Sequence, residues 1–343
     1  RLRRYSSGAS IQWGDDYYPW LMTTANVDSI NAGDAQINNP GISLEAGDWV
    51  ILYADNSPAN HTAHAANEPM RVCELHRINR AVIENVSGTI QPVNKWYLDK
   101  PVYDSMTVGE GVSGKARITK LPAKYGIKIR NIQIEMEPGQ QPNGACLALC
   151  GCIDFTLENV TLGTKKGTQN PGEVTFLFCS GRCVDCWIGD QENPNRDQAA
   201  LYGFIDICCN GIKRERCTFG SVRHGTTTGG RERTVSGTKY RYGCSLDCEL
   251  DNCTFGSAAK QNPATAGVQS SAFCDFHSEA ARYIIKNSTF YIPPFQLGFF
   301  IRARDVTFEG NTFICSEAGE TGQINAADFT FRKNIIKGGF VLR

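Results

Sequence analysis

The sequence is short of the features that would direct a chain to nucleic acid or to a membrane. Lys and Arg together number 35, and so do Asp and Glu, so there is no net charge. No overall electric field therefore draws the chain toward nucleic acid or anionic lipid. No stretch approaches the ~20 apolar residues of a membrane-spanning helix, and no apolar signal core follows the opening Arg-Leu-Arg-Arg. We expect neither a nucleic-acid partner nor membrane insertion, and any recognition of charge must be local.

Complete metal-binding patterns are also missing. The cysteines at positions 146, 150 and 152, and those at 179, 183 and 186, could each supply half of a zinc site. A structural zinc site needs four ligands, and neither group has a correctly spaced second half. No acidic cluster suits calcium. We therefore expect no metal and no cofactor.

What the sequence does contain is a repeat. Residues 248–255, Cys-Glu-Leu-Asp-Asn-Cys-Thr-Phe, read apolar, any, apolar, two polar, apolar, any, apolar, and this pattern returns seven more times between residues 127 and 336. Each half alternates with period two, as a strand with one buried face does. The first pair in each repeat is Ile127/Ile129, Phe155/Leu157, Gly181/Cys183, Ile212/Arg214, Cys248/Leu250, Tyr283/Ile285, Val306/Phe308 or Phe329/Phe331.

The two polar residues between the halves predict a bend. Two intervening residues shift the alternation of buried and exposed positions by one. Without a bend, the apolar residues of the second half would therefore face away from the interior. The second bend residue is Asn131, Asn159, Asp185, Arg216, Asn252, Asn287, Gly310 or Lys333. Asn, Asp and Gly tolerate a left-handed backbone, and six of the eight bends use one of them.

The repeat spacing predicts a solenoid. Successive repeats begin 28, 26, 31, 36, 35, 23 and 23 residues apart, and 23 residues hold about three short strands and three bends at ~3.3 Å per residue. A leucine-rich repeat would need Leu-x-x-Leu-x-Leu spacing and a helical return, and both are missing. The sequence therefore predicts an all-β protein with a right-handed parallel β-helix at residues 121–343.

Residues 1–120 do not follow the repeat, and we expect a strand-rich N-terminal cap and lead-in region there. Strands are predicted at residues 47–52, 70–75 and 81–86, and a short helix at 21–30. A cap is needed because an open solenoid end invites aggregation. The first residue is not Met and the last four read as strand, so we expect the chain to be a piece of a longer protein.

Cysteine is abundant, with fifteen residues. Cys186, Cys217 and Cys253 share one repeat position, so we expect their side chains to stack inward as free thiols about 4.8 Å apart. Disulfides are the alternative, but the positions follow the core pattern rather than loops.

The two longest repeats are adjacent, at 36 and 35 residues against 23 for the shortest. Their surplus should form neighbouring outward loops at residues 221–242 and 256–281. We name as catalytic candidates Asp275, His277, Glu279, His224 and Asp247. We name as substrate-binding candidates Arg223, Arg231, Arg233, Tyr240 and Tyr242.

These residues suit an extended acidic or hydroxyl-rich ligand such as a polysaccharide, since cations pair with carboxylates and aromatic rings offer flat apolar faces. Glycoside hydrolysis would use two carboxyls among Asp275, Glu279 and Asp247. A lyase would use His277 or His224 as base beside Arg223. The alternative is structural: His224, Asp275 and His277 would bond to one another and fix the loop.

The coil pattern of residues 120–343 resembles that of the pectate-lyase-like β-helix proteins, above all bacteriophage tailspikes and related tail proteins. The Gly-Asp-Trp-Val strand at 47–50 and the segment 70–86 resemble the region before such helices. The Arg-His-Gly-Thr-Thr run at 223–227, followed by Asp-Phe-His at 275–277, is similar to a pairing found in phage tail β-helices.

This resemblance implies a homotrimer in the virion tail, assembled in the host cytoplasm, that contacts other tail or baseplate proteins. It also implies that the protein recognises a bacterial surface glycan and, if it is an enzyme, depolymerises it. Two alternatives stay open: a secreted polysaccharide-degrading enzyme and a purely structural virion spacer. Polygalacturonase and pectate lyase motifs are absent or poorly matched.

Overall fold

The computed structural model describes residues 2–4, 11–14, 17–57, 69–106, 116–136, 145–163, 173–189, 202–220, 222–256, 272–293, 296–316, 320–325, 328–339 and 341–342. Within these ranges the chain is all-β, apart from one short 3₁₀ turn at Pro19–Leu21. No helix in the described ranges is long and apolar enough to cross a membrane.

A right-handed parallel β-helix forms the body of the molecule, as the repeat predicts. Its coils stack three parallel sheets, which we call faces I, II and III. Face I holds the first half of each repeat: Lys124–Tyr125, Lys128–Arg130, Cys152–Glu158, Ser180–Val184, Lys213–Glu215, Glu249–Asp251, Ile284–Lys286, Val306–Glu309 and Phe329–Arg332. Face II holds the second half: Leu2–Arg4, Gln133–Met136, Thr161–Leu162, Trp187–Ile188, Thr218–Phe219, Thr254–Phe255, Thr289–Ile292, Thr312–Cys315 and Ile335–Lys337.

Face III lies outside the repeat pattern and closes each coil. Its strands are Ile11–Trp13, Ala145–Cys150, Glu173–Leu177, Tyr202–Ile207, His224–Gly229, Ala272–Phe276, Leu297–Ile301 and Glu320–Ile324. A short parallel pair, Ser245–Leu246 with Ala280–Ala281, lies between faces III and I in two coils.

The inward side chains form continuous columns. On face I, one register position is occupied by Ile129, Leu157, Cys183, Arg214, Leu250, Ile285, Phe308 and Phe331. On face II the rings of Phe219, Phe255, Phe290 and Phe313 stack with centroids 4.7, 4.4 and 4.6 Å apart. Burying each such ring contributes roughly 2–3 kcal/mol. The predicted inward column is confirmed.

All eight predicted bends have a left-handed backbone. The second bend residue has a φ between 52° at Asn159 and 66° at Gly310. Arg216 and Lys333 adopt this conformation as well, at 52° and 55°, although neither residue type favours it. The geometry of the turn therefore recurs even where the preferred residue does not.

The fifteen cysteines are buried and none of them forms a disulfide, as expected. Cys186, Cys217 and Cys253 direct their thiols toward backbone carbonyl oxygens of the preceding coil at 3.6–3.7 Å. Two coils nearer the C-terminal end place Asn311 and Asn334 at this position, and their side-chain amides donate to the equivalent carbonyls at 2.9 Å. The column therefore also ties each coil to its neighbour.

Six strands of the predicted N-terminal cap region form an antiparallel sheet, which we call the cap sheet. Its order is Ala25–Val27, Ala116–Lys120, Trp49–Tyr53, Cys73–Val86, Thr89–Leu98 and Gln36–Asn38. The helix predicted at residues 21–30 is wrong, because Ala25–Val27 pairs as an edge strand with Ala116–Lys120. Further strands at Leu2–Arg4 and Ile11–Trp13 pair in parallel with the next strands of faces II and III. Residues before 120 thus also take part in the solenoid, and the domain boundary at residue 120 stays a proposal.

Buried ionic contacts lie within the N-terminal region, and one of them joins it to the solenoid. Arg304 donates two hydrogen bonds to Asp104, at 2.6 and 2.9 Å, and both side chains are almost fully buried. Glu74 lies 2.8 Å from Nε2 of His76 and accepts from the backbone N–H of Asp104 at 2.8 Å. Asp99 lies 3.9 Å from the other ring nitrogen of His76.

Candidate functional site

The two long repeats differ from the predicted loops. Residues 221–242 were expected to form one outward loop, which is wrong for the first half, since His224–Gly229 is a strand of face III. Its three threonines are β-branched and suit a strand. The surplus is instead a β-hairpin of Arg231–Val235 and Thr238–Tyr242. In the second repeat, residues 257–271 lie outside the described residues, and Ala272–Phe276 is a strand of face III.

Stacking these strands brings four predicted catalytic residues together. His224, Asp275, His277 and Glu279 join Arg241 and Arg302 in what we call the face III cluster. Asp275 is at its centre: its Oδ1 accepts from Nη2 of Arg302 at 2.7 Å. Its Oδ2 lies 3.2 Å from Nε2 of His277 and 3.3 Å from Nε2 of His224.

The protonation states at the centre follow from burial and charge. Burial opposes ionisation of Asp275, but His277 and Arg302 outweigh it and hold the pKa of this carboxyl well below its ordinary value. Burial lowers the pKa of His224 to about 4, so its ring is neutral at pH 7. Asp275 is therefore an ionised acceptor.

His277 and Glu279 form the other side of the cluster. The backbone N–H of His277 donates to Oγ1 of Thr228 at 2.8 Å, which fixes the residue against the preceding coil. Nδ1 of His277 lies 4.0 Å from Oε2 of Glu279. Nη1 of Arg241, from the hairpin, lies 3.5 Å from the other oxygen of Glu279. The His277 ring therefore has a carboxylate beside each nitrogen.

The cluster does not match a two-carboxyl hydrolytic site. Such a site needs a protonated carboxyl that reaches the glycosidic oxygen. Asp275 is held ionised, and the side chain of Glu279 has no exposed surface. The exposed groups are instead His277 at 16%, Arg241 at 15% and Arg302 at 14%. Within the described ranges, no group of three His, Cys, Asp or Glu side chains suits a metal ion.

Two aromatic rings flank the cluster on the outward side of face III. Tyr202 is half-buried and stacks on His224 with ring centroids 5.0 Å apart. Phe300 is half-buried one coil beyond Asp275 and in register with it. The guanidinium of Arg302 lies 4.5 Å from the centroid of Phe300, and that of Arg223 lies 5.5 Å from the centroid of Tyr202.

The sequence did not identify Arg302, Tyr202 or Phe300 as site residues. All three belong to face III coils, and face III has no counterpart in the repeat of faces I and II. Aligning the face III strands with one another would have placed Phe300 beside Asp275. Ile205, Thr227, Asp275 and Phe300 share one register position on successive coils.

The predicted substrate-binding residues of the hairpin lie elsewhere. Arg231 is paired across the hairpin with Tyr242, and Arg233 with Tyr240. Arg231 donates from Nε to the carbonyl oxygen of Tyr17 at 3.1 Å. These side chains face the N-terminal cap region, where Arg231 lies over Tyr18, Arg233 lies over Trp20 and the hydroxyl of Tyr242 donates to Asp55.

Asp247 is not part of the cluster either. It has a left-handed backbone at a bend after Ser245–Leu246. Its carboxylate accepts from Nε of Arg282 at 2.7 Å and from Nζ of Lys100 at 2.9 Å. The structure thus gives Asp247 a place in the contact between the cap sheet and the solenoid.

Comparison with known proteins gives matches in structure only. No protein-family model matches the chain, and no curated protein sequence matches it. The solved structures similar to it include three phage tailspikes. The tailspike protein gp49 of Pseudomonas phage LKA1 matches with a TM-score of 0.60 and 19% identity, over 90% of this chain and 46% of that chain.

The other two matches are weaker. Gp54 tailspike of Acinetobacter baumannii bacteriophage AP22, solved in complex with A. baumannii capsular saccharide, gives a TM-score of 0.43 and 13% identity over 94% of this chain and 57% of that chain. The tailspike gp61 of Pseudomonas phage phi297 gives a TM-score of 0.35 and 12% identity over 94% of this chain and 62% of that chain. The chain spans less than two thirds of each of these proteins. Its fold is a tailspike-like right-handed parallel β-helix.

Proposed function

We propose that the chain recognises a bacterial surface polysaccharide through the outward side of face III, between Tyr202 and Phe300. The observation that carries this proposal is the juxtaposition, on four successive coils, of two half-buried rings with the donors of the face III cluster. Four coils span ~14 Å at ~4.8 Å per coil, which suits an extended oligosaccharide. Aromatic faces and a few fixed polar groups are the usual components of such a site.

We further propose that the chain belongs to a phage tail, as a homotrimer assembled in the host cytoplasm and in contact with other tail or baseplate proteins. The likeness of its fold to the LKA1 tailspike supports this setting. A secreted enzyme or a rigid spacer could use the same fold, because a fold does not fix function. Recognition is favoured over a spacer role by the polar cluster on face III.

The test is a bacterial glycan array probed with the wild-type protein, His277→Ala and Arg233→Ala. We expect the wild type to bind a subset of glycans. His277→Ala should weaken binding about tenfold or more, because the ring that fixes Asp275 and Glu279 is lost together with its exposed edge. Arg233→Ala is the control: its guanidinium faces Trp20, so binding should stay within about twofold.

Both variants should unfold within a few degrees of the wild type, which shows that lost binding is not lost folding. A wild type that binds no glycan, or a His277→Ala variant that binds as the wild type does, would contradict the proposal. Analysis of the bound glycans for released oligosaccharides separates recognition alone from recognition with depolymerisation.

A further inference from the structure

The polar groups of the face III cluster are arranged in two layers. The carboxylates lie underneath: the side chain of Glu279 has no exposed surface and that of Asp275 has 6%. The donors His277, Arg241 and Arg302 lie above them, each about one seventh exposed. A ligand that reaches this surface therefore meets two guanidinium groups and an imidazole ring before it meets Asp275 or Glu279.

Arg302 is the donor whose position is most tightly fixed. Its Nη2 is bonded to Asp275 Oδ1 at 2.7 Å, and its Cζ lies over the ring of Phe300, 4.5 Å from the ring centroid. A guanidinium held by a carboxylate on one side and an aromatic face on another loses little conformational entropy when it binds a ligand.

The formal charges support an anionic ligand. In the cluster, Arg241 and Arg302 balance Asp275 and Glu279, and Arg223 adds a further positive charge beside Tyr202. The carboxylates of Asp275 and Glu279 are buried, and the exposed Glu232 next to Arg241 is neutralised by ion pairs with Arg241 and Lys239, each at 2.8 Å. Arginine is also the residue best suited to bind a carboxylate through paired hydrogen bonds.

We infer that the glycan bound at face III carries a carboxylate, as uronic acids do, and that Arg302 is its anchor. Asp275 is then a positioning residue that holds Arg302, and Glu279 holds His277 and Arg241 from beneath. This inference rests on the proposed glycan recognition and specifies the class of glycan. Neither Arg302 nor this division of roles follows from the sequence pattern.

The experiment measures affinity for acidic glycans selected on the array and for the same glycans after chemical reduction of their carboxyl groups. Wild-type protein should bind the reduced forms about 10- to 100-fold more weakly, the range expected for losing a charged hydrogen bond. The Arg302→Gln variant should bind the acidic glycans more weakly than the wild type by a similar factor, and it should bind the reduced glycans as the wild type does. Arg302→Lys should recover part of it, because charge returns without the planar fork.

Two further variants make the result specific. Arg332→Gln removes a comparable ion pair, with Glu309 on face I, and should bind the acidic glycan as the wild type does. Asp275→Asn tests positioning: its loss of affinity should largely disappear when Arg302 is already Gln, because the two residues act as one unit. A purely structural role for Asp275 would lower affinity equally in both backgrounds.

The outcomes separate the inference from the function on which it rests. Tight binding of neutral or carboxyl-reduced glycans, with Arg302→Gln unaffected, overturns the inference and leaves glycan recognition standing. Binding of no glycan by the wild type overturns both.

Discussion

Arg214 shows how a single residue can depart from the pattern that places it. It occupies the inward position held by Leu, Ile or Phe in most other coils, and it is fully buried. Its charge is matched by Asp206 on face III, to which it donates through Nη2, while the hydroxyl of Tyr283 donates to Asp206 at 2.9 Å. The guanidinium also lies 5.3 Å from the centroid of Phe204.

Removing Arg214 alone should be costly. Arg214→Leu leaves the Asp206 charge buried without its partner, and we expect unfolding free energy to fall by about 3–5 kcal/mol. Combining it with Asp206→Asn removes the orphaned charge and keeps an acceptor for Tyr283, so the double variant should recover at least half of that loss. Urea unfolding of both variants measures this, and a single variant as stable as the wild type would show that the pair is not stabilised as described.

At this scale the sequence predicts where side chains point better than what they contact. The column position of Arg214 follows from the repeat, as do the left-handed bends at Asn252 and its equivalents. The partners Asp206 and Arg302 do not follow, because both come from face III. Contacts across a coil depend on how many residues separate two faces, and that number varies from coil to coil.

Among the structural elements, strand identity was predictable and the boundary between strand and loop was not. The surplus length of the repeat predicts a loop at residues 224–229. Their backbone is nevertheless paired on both sides, with Tyr202–Ile207 and Ala272–Phe276. Parallel pairing with neighbouring coils and the strand propensity of the threonines agree here, and the length of the repeat does not show which part of it is surplus.

The cap sheet offers a test of how a buried charge is stabilised. His76 is fully buried, with Glu74 and Asp99 beside its ring. Burial opposes its charge, but Asp99 and Glu74 outweigh burial and raise the pKa of His76 to about 9. Its unfolded pKa is ~6.5, so its contribution to stability is fully present below pH ~6.5 and is lost as pH rises through 9.

We predict that unfolding free energy falls by about 3 kcal/mol more for the wild type than for His76→Gln as pH rises across this window. Burial also raises the pKa of thiols such as those of Cys183 and Cys217, which destabilises the fold in alkali, but equally in both proteins. The difference between their pH profiles isolates His76. Parallel profiles from pH 6 to 9 would show that no charged His76 stabilises the fold.

On the scale of the whole molecule, the stacking of coils brings residues from distant parts of the sequence close together on one face. Tyr202 and Phe300 are 98 residues apart in sequence and belong to strands three steps apart on one face. Backbone ladders on both sides of each inner strand make such a surface rigid, and rigid elements place binding groups accurately. The fold therefore accounts for the location of the proposed site, and the chemistry of the cluster accounts for its ligand.

The most direct test of the account is a crystal structure of the protein with a glycan selected on the array. We predict a right-handed parallel β-helix with the glycan on the outward side of face III, in contact with Arg302 and His277 and between the rings of Tyr202 and Phe300. Glycan bound on face I or face II, or at the hairpin beside Trp20, with the face III cluster unoccupied, would contradict it.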